Sequence, residues 1–336
     1  MKIKKQELTI FFIIVGIASF FRLFLMVPIV TMGTIISPIT GTLTVIGLYL
    51  LVRELFEWRL ASIASYLMAI SFWHVNFSRI ESGSVMVPFI LVYVFYFLWK
   101  GIKKSHLPDF FVAGLFGGVG FYTSSSYYVA PIIAIILFVN YWQYLKNDFS
   151  HSKYEYTKTK FLKGFVLFAL TTFIVALPVE FGFWQNQESF FSAINISTSS
   201  IVNTLGMFNF SNSPVLPWPI GVFFVIGFIN EAIHWLKRKH GHLSTTHTFI
   251  FAWFFVMLIP GFLSDTTPDA LITIGALPVV MIFTARGIWW FFDKLNTWYE
   301  VRDVHSKNQT HAITALVMII FLFSIGFMEY WRYFKF

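Results

Sequence analysis

The sequence has 336 residues, of which 57% are hydrophobic and only 12% are charged, whereas a typical soluble domain has about 25% charged residues. A water-soluble fold of this size could not cover so much apolar surface, but a lipid bilayer tolerates apolar side chains on the outside of a protein. There are no cysteines, so disulfides, thiolate metal sites and cysteine nucleophiles are excluded.

Continuous apolar runs of helix length follow one another along the sequence and predict an all-α transmembrane bundle. The strands of a β-barrel would instead alternate apolar and polar residues over about ten positions. We expect about eleven spans in one integral membrane domain that covers residues 1–336. The predicted spans are residues 8–28, 35–52, 60–76, 84–99, 109–122, 126–144, 162–178, 218–236, 248–263, 270–291 and 310–328.

The positions of the basic residues predict a cytoplasmic N-terminus. With alternating spans, the 24 lysines and arginines then gather on the cytoplasmic side, except for Arg22 in the first span and Arg79, Arg332 and Lys335 outside. This one-sidedness follows the positive-inside rule and explains the net charge of +8. We therefore expect no nucleic-acid partner. Membrane lipids are the expected surroundings, in the plasma or inner membrane.

Two segments depart from a plain pattern of spans and short loops. The outer segment 179–217 contains no lysine or arginine and is too long to be a mere connection, so we expect it to be functional. The span 109–122 is the weakest of the set. Its four glycines would permit either close helix packing or a break in the helix; they are Gly114, Gly117, Gly118 and Gly120.

Ionisable residues are few on the predicted outer face, and three of them lie within eight residues at the outer end of the third span. These are His74, Arg79 and Glu81. Charges at the edge of a membrane mark candidate sites, and arginine is well suited to bind a phosphate or pyrophosphate head group. Arg79 and His74 are therefore candidate phosphate-binding residues. The alternative is a simple Arg79–Glu81 pair, or an arginine that reaches for the interface.

Two carboxylates in a short outer turn, SDTTPD, form the second candidate group. Asp265 and Asp269 flank Pro268, and such a pair could hold a divalent metal ion or act as a general base. Asp and Pro are also favoured in turns for backbone reasons alone, which is the alternative. No Walker loop, dinucleotide-binding glycine set, HExxH or GxSxG motif occurs, so a soluble type of catalytic domain is not expected.

Four strings along the sequence resemble a family of bacterial membrane glycosyltransferases, those related to protein O-mannosyltransferase and the lipid A aminoarabinose transferase, which have the GT-C fold. The strings occur in the order expected for that family. They are GTLTVIGLYLLVRELFEWRLASIASYLMAISFWHVNFSRI (41–80), GVGFYTSSSYYVAP (118–131), NTLGMFNF (203–210) and WFFVMLIPGFLSDTTPDALITIGALP (253–278).

The resemblance implies a transferase that takes a sugar from a polyprenyl-phosphate-linked donor and passes it to an acceptor at the extracytoplasmic face. Such a reaction needs basic residues for the phosphate leaving group and a carboxylate as general base. Arg79 and His74 would then contact the phosphate. Asp265 or Asp269, with Glu81 as the next candidate, would act as base or hold a divalent metal ion.

The sequence also departs from the family pattern. Family members carry a long first outer loop with an acidic motif, whereas residues 24–40 contain no acidic residue and that loop is effectively missing. Gly83 stands where the resemblance leads us to expect arginine. These losses leave a second hypothesis open: the protein is non-catalytic and either binds lipid-linked sugar or partners another transferase. A third hypothesis is a transporter. Arg22 and Glu231 are the only ionisable residues within the predicted spans that could serve one.

Overall fold

The computed structural model describes residues 5–23, 32–79, 83–148, 153–184, 198–206, 215–237, 242–263, 270–302 and 307–334. Within these ranges the regular structure is helical, as the sequence predicts. The α-helices are Lys5–Leu23 (α1), Met32–Leu55 (α2), Trp58–Ile70 (α3), Phe72–Arg79 (α4), Met86–Lys104 (α5), Leu107–Gly120 (α6), Ala130–Asp148 (α7), Lys153–Trp184 (α8), Thr198–Gly206 (α9), Trp218–Lys237 (α10), His242–Phe262 (α11), Leu277–Arg302 (α12) and Lys307–Phe334 (α13). Short 3₁₀ turns at Gly83–Val85, Ser125–Val129 and Ile274–Ala276 precede α5, α7 and α12.

Nine helices of the described ranges are long and apolar enough to cross a membrane, judged by length and composition. Two of the predicted spans take a different form. The third is split into α3 and α4, which meet at an angle of 52° and count as one further span if taken together. The fifth is the shorter helix α6, of 14 residues. The exact number of spans therefore stays a prediction.

The predicted outer segment 179–217 is partly helical. Helix α8 continues to Trp184, and a further short helix, α9, covers Thr198–Gly206. The hydroxyl of Thr204 donates a hydrogen bond to the carbonyl oxygen of Gly261 at 3.1 Å, which fixes α9 against the end of α11. The segment is therefore helical in these two stretches, and its predicted functional role stays a prediction. Residues 185–197 and 207–214 lie outside the described ranges.

Helix ends that the prediction places on the cytoplasmic side are joined to one another by ion pairs. These are Glu7–Arg53 at 2.5 Å, Lys103–Glu54 at 3.5 Å and Lys100–Asp109 at 2.9 Å. At the opposite end of α1, the ring of Phe21 packs edge-on against Tyr330 of α13, with 6.2 Å between centroids. Helix ends that are predicted to share a side of the membrane therefore lie at the same end of the bundle, as alternating spans require. Which of the two faces is cytoplasmic remains a prediction.

Close helix packing, and not a break, is the outcome for the glycines of α6. A Cβ atom on Gly118 would lie 2.4 Å from the Cβ atom of Val175, and one on Gly114 would lie 2.7 Å from that of Thr171. Helix α6 therefore rests directly on α8 at positions where any larger residue would force the two helices apart. Small residues favour such contacts in membranes because they let helix backbones approach closely.

Helices α10 and α12 approach even more closely. A Cβ atom on Gly227 would lie 1.8 Å from the carbonyl oxygen of Phe283, and one on Gly287 would lie 2.0 Å from that of Phe223. Both obstacles are backbone atoms, which a change of rotamer cannot move. The contact therefore depends on glycine at both positions.

A buried ionic network lies beside this contact and ties three helices together. Glu231 of α10 is fully buried. One of its carboxylate oxygens lies 2.8 Å from Nδ1 of His247 on α11, and the other pairs with Nε of Arg286 on α12. Removing one partner from a buried pair would leave an uncompensated charge. Glu231 therefore has a structural partner on each neighbouring helix.

We predict that Gly227→Ala lowers the stability of the folded protein by about 1–3 kcal/mol, because the added methyl group meets a backbone carbonyl. Gly16→Ala is the matched control, since nothing lies within 4 Å of a Cβ atom at Gly16. Thermal unfolding in detergent measures both. Equal midpoints for the two variants would show that the α10–α12 contact is not as close as described.

Candidate functional site

The bend between α3 and α4 is the centre of the candidate site. Helix α3 ends at Ile70 and α4 begins at Phe72, with Ser71 in a non-helical conformation between them. A helix that ends inside a protein leaves carbonyl groups without an intrahelical partner. The buried guanidinium of Arg22, on α1, binds these groups. It donates hydrogen bonds to the carbonyl oxygens of Ala69 at 3.0 Å and Met68 at 3.2 Å.

His74, in the first turn of α4, is bound to the same guanidinium. Nη2 of Arg22 lies 2.6 Å from Nδ1 of His74, and the imidazole is completely buried. Because a guanidinium can only donate, Nδ1 accepts the hydrogen bond and the imidazole is neutral in this contact. His74 does not face the predicted outer surface. Any contribution to phosphate binding would be indirect, through Arg22 and the position of α4.

The other side of the bend is bound by the last helix. The backbone N–H of Phe72 donates to Oε2 of Glu329 at 3.2 Å, and Glu329 is buried. Glu329 thus caps the N-terminus of α4, where a carboxylate is favoured by the exposed amides. The sequence reasoning missed this residue because the predicted span ends at residue 328. An acidic residue directly beside an apolar run was the available signal.

Two arginines flank α4 where α13 lies against it. The guanidinium carbon of Arg79, the last residue of α4, lies 5.0 Å from the ring centroid of Tyr333. The guanidinium carbon of Arg332 lies 4.6 Å from the ring centroid of Phe72. Both side chains are only partly buried. The predicted outer end of the bundle therefore carries two planar cations that suit phosphate oxygens.

A hydrogen bond connects α4 to the segment that follows the predicted acidic turn. Nε1 of Trp73 donates to the carbonyl oxygen of Ala270 at 2.9 Å. Ala270 follows Asp269 directly in the sequence, so the chain leaves that turn beside α4. Asp265, Asp269 and Glu81 themselves lie outside the described ranges. Their proposed roles stay predictions.

A groove of about 740 Å³ opens between α5, α6, α7 and α8, in the half of the bundle that is predicted to be outer. Some of its walls, such as Ile135 and Phe173, are also exposed on the outside of the bundle. We call it the α5–α8 groove. Its lining consists of Leu91, Val94, Phe95, Gly117, Phe121, Tyr127, Ala130, Pro131, Ala134, Ile135, Phe165, Phe168, Ala169, Thr172, Phe173, Ala176 and Leu177.

The two hydroxyl groups in the lining of the α5–α8 groove are already used. The hydroxyl of Tyr127 donates to the carbonyl oxygen of Gly117 at 3.0 Å, and the hydroxyl of Thr172 donates to the carbonyl oxygen of Gly114 at 3.3 Å. The walls are otherwise hydrocarbon and aromatic ring. A hydrocarbon chain fits such a surface, whereas a polar ligand would lose its hydrogen bonds with water on entering.

The stretch after α4 packs against the rim of the α5–α8 groove. The hydroxyl of Ser84 donates to that of Ser124 at 3.4 Å. A Cβ atom on Gly83 would lie 2.6 Å from the carbonyl oxygen of Thr123. This contact explains why glycine, and not arginine, occupies position 83. Arg79 is four residues earlier in the chain, which places it within roughly 14 Å of the rim.

A metal site does not emerge from the described part of the chain, where no three His, Asp or Glu side chains come together in a group that could hold an ion. The predicted metal ligands Asp265 and Asp269 are outside that part.

Comparison with known proteins finds a similarity in the first half of the chain. Residues 12–175 match the family model described as dolichyl-phosphate-mannose-protein mannosyltransferase. No curated protein sequence matches the chain.

Among solved structures, similar chains come from the oligosaccharyltransferase of Archaeoglobus fulgidus. The form tethered to an acceptor peptide with an NVT sequon has a TM-score of 0.53 and 16% identity, covering 88% of this chain and 43% of the other. The apo form has a TM-score of 0.54 and 15% identity, with 88% and 44% covered. A complex with an inhibitory peptide and a dolichol-phosphate has a TM-score of 0.53, 16% identity and the same coverage as the apo form.

The chain spans less than half the length of these oligosaccharyltransferases. At this level of identity the likeness concerns the fold, and it extends over most of the chain described here. The match to the mannosyltransferase model and the helical architecture agree with this likeness in fold. They also agree with the resemblance that the four sequence strings indicate. The chain therefore is a multi-pass membrane protein with a GT-C-like fold, and its residues 12–175 are similar to the dolichyl-phosphate-mannose-protein mannosyltransferase family.

Proposed function

We propose that this protein is a membrane glycosyltransferase that takes a sugar from a polyprenyl-phosphate-linked donor and transfers it at the extracytoplasmic face. The α5–α8 groove is the observation that carries the proposal. A donor with a lipid tail has to be met inside the bilayer, and this groove offers an apolar surface in the half of the bundle that is predicted to be outer. Its volume is within the usual range of ligand pockets, about 300–1,000 Å³.

The polyprenyl chain would lie in the α5–α8 groove with its phosphate at the rim. Since Tyr127 and Thr172 spend their hydroxyl groups on backbone carbonyls, the groove recognises its occupant by shape and apolar area alone. The phosphate would then sit near the stretch after α4. Many lipids have apolar tails, so selectivity has to come from the head group and the residues around it.

Arg79 is the proposed phosphate contact, with Arg332 as a second cation on the far end of α4. Stacking on Tyr333 holds the guanidinium plane of Arg79 while leaving part of it exposed. As the sugar leaves, negative charge develops on the phosphate, and a fixed cation stabilises that charge without reorganisation. Arg22 and His74 would act indirectly, by fixing the bend that carries α4.

Asp265 or Asp269 is proposed as the general base that takes the proton of the acceptor hydroxyl, with Glu81 as the next candidate. The hydrogen bond between Trp73 and Ala270 supports this choice because the chain after Asp269 runs beside α4. A divalent metal ion is an alternative role for the same carboxylates.

One observation favours the non-catalytic alternative. Among the described side chains at the predicted outer end, Glu329 is the only carboxylate, and it caps the N-terminus of α4. If the acidic turn takes no part in catalysis, the protein would bind lipid-linked sugar without transferring it. Arg22 and Glu231, the residues on which the transporter hypothesis rests, are held by neighbouring helices and do not line the α5–α8 groove.

Filling the α5–α8 groove should weaken donor binding. We expect Ala169→Trp, which places an indole in the groove, to raise the dissociation constant for polyprenyl phosphate at least tenfold, a change of about 1.4 kcal/mol. Leu170→Trp is the control, since Leu170 is exposed beside the groove without lining it. Binding to the purified protein in detergent measures both. Equal affinities would exclude the groove as the tail site.

Removing the charge of Arg79 should reduce turnover. We expect Arg79→Gln to lower kcat/KM with a polyprenyl-phosphate sugar by about 10²-fold, in the range of a lost transition-state donor. Lys104→Gln removes an exposed cation from the opposite end of the bundle and should change the rate by less than twofold. Sugar release from a labelled donor in proteoliposomes is the assay. A normal rate for Arg79→Gln would remove this residue from the mechanism.

The acidic turn can be tested in the same assay. If one carboxylate is the base, Asp265→Asn or Asp269→Asn should lower kcat by 10²–10⁴-fold, the usual contribution of general base catalysis. Donor binding should persist in both variants. Unchanged turnover in both would exclude these residues as the base. Donor binding without any transfer by the unmodified protein would instead support the non-catalytic alternative.

A further inference from the structure

A second cavity lies at the opposite end of the bundle from the candidate site. It has a volume of about 460 Å³ and lies between the start of α3, the second half of α12 and the start of α13. We call it the α3–α12–α13 cleft. Its lining consists of Arg59, Trp289, Phe292, Asp293, Asn296, Thr314, Ala315 and Met318.

The α3–α12–α13 cleft has both polar and apolar walls and carries one charge of each sign. Arg59 and Asp293 are both exposed. Within the part of the chain that the structure describes, no carboxylate lies close enough to Arg59 to form an ion pair, and Asp293 has no cationic partner. The two charges therefore face the same cavity without neutralising each other.

Aromatic rings fix the position of Arg59. Its guanidinium carbon lies 5.6 Å from the ring centroid of Trp58 and 6.0 Å from that of Trp289. Tryptophans concentrate at the level of the lipid head groups. A cation held between two of them lies where lipid phosphates are found.

The apolar side of the α3–α12–α13 cleft continues into the lipid-facing surface of α13. Met318 and Ala315 line the cleft, while Leu316 and Ile320 of the same helix are exposed on the outside of the bundle. One helical turn beyond Met318, the hydroxyl of Tyr66 donates to the carbonyl oxygen of Leu322 at 2.9 Å and holds α13 against α3. The cleft is thus a fixed opening that connects polar walls to a hydrocarbon surface.

We propose that this cleft binds one phospholipid with a zwitterionic head group of the phosphoethanolamine type, in the leaflet that is predicted to be cytoplasmic. The phosphate would lie at Arg59 and the primary ammonium at Asp293, so that both charges gain a partner. The acyl chains would run along α13. An anionic head group such as phosphoglycerol would satisfy Arg59 but would bring its charge close to Asp293.

The cleft lies at the end of α3 remote from α4 and does not depend on the transfer reaction. Lipid binding can therefore be present in a protein that transfers no sugar, and its failure would leave the proposed function untouched. Arg59 and Asp293 have no part in the donor site.

Native mass spectrometry of the delipidated protein, titrated with phosphatidylethanolamine, phosphatidylglycerol or phosphatidylcholine, tests the proposal. We expect phosphatidylethanolamine to bind at least tenfold more tightly than the other two. Arg59→Gln should lower that affinity about tenfold. Asp293→Asn should abolish the preference over phosphatidylcholine, whose quaternary ammonium cannot donate a hydrogen bond to a carboxylate.

Each variant has a control that removes the same charge outside the cleft. Lys294→Gln matches Arg59→Gln, and Glu57→Gln matches Asp293→Asn; both should bind within twofold of the unmodified protein. Equal affinities for the three lipids, a preference for phosphatidylglycerol, or the same loss in a variant and its control would each overturn the proposal. If Arg59→Gln does not fold, the Asp293→Asn comparison still decides the head-group preference.

Discussion

The structure depends on how the backbone carbonyl and amide groups at a broken helix find hydrogen-bond partners where little water is present. At the bend between α3 and α4, carbonyl groups at the end of one helix and an amide at the start of the next lose their partners, and in a bilayer each such group costs several kcal/mol if left alone. The first helix supplies a cation for the carbonyls, through Arg22. Helix α13 supplies a carboxyl oxygen for the amide, through Glu329. Polar side chains from two distant helices thus satisfy the two helix ends that meet at the bend.

This capped bend places the polar groups of the predicted outer face. Because α4 is held from both sides, Arg79 has a defined position against Tyr333, and Trp73 holds the segment that follows the acidic turn. The α5–α8 groove and the α3–α12–α13 cleft differ in the chemistry of their walls. The hydroxyl groups of the groove bind backbone carbonyls, so its surface is hydrocarbon and aromatic ring. The cleft carries two charged side chains, Arg59 and Asp293.

The helices could be predicted from the sequence because a segment that crosses the bilayer has to satisfy its own backbone hydrogen bonds. Continuous apolar runs mark the spans, whereas the glycines of α6 left close packing and a helix break equally open, and only the structure shows the contact with α8. The contacts at the bend could not be predicted, because they join residues 46 or more positions apart. Arg22 was visible only as a charge inside a span, and Glu329 fell just past a predicted span end. Helix α9 was missed because its sequence, TSSIVNTLG, is too short and polar to stand out within a loop.

The cap on α4 has a consequence for biosynthesis. Arg22 and the carbonyls it binds are at most 47 residues apart, so this half of the bend can form early as the chain enters the membrane. The amide of Phe72 has its partner 257 residues later in the sequence, on α13. The ribosome therefore delivers Glu329 only after the helices between α4 and α13 have been synthesised. Until then the N-terminal end of α4 lacks its cap.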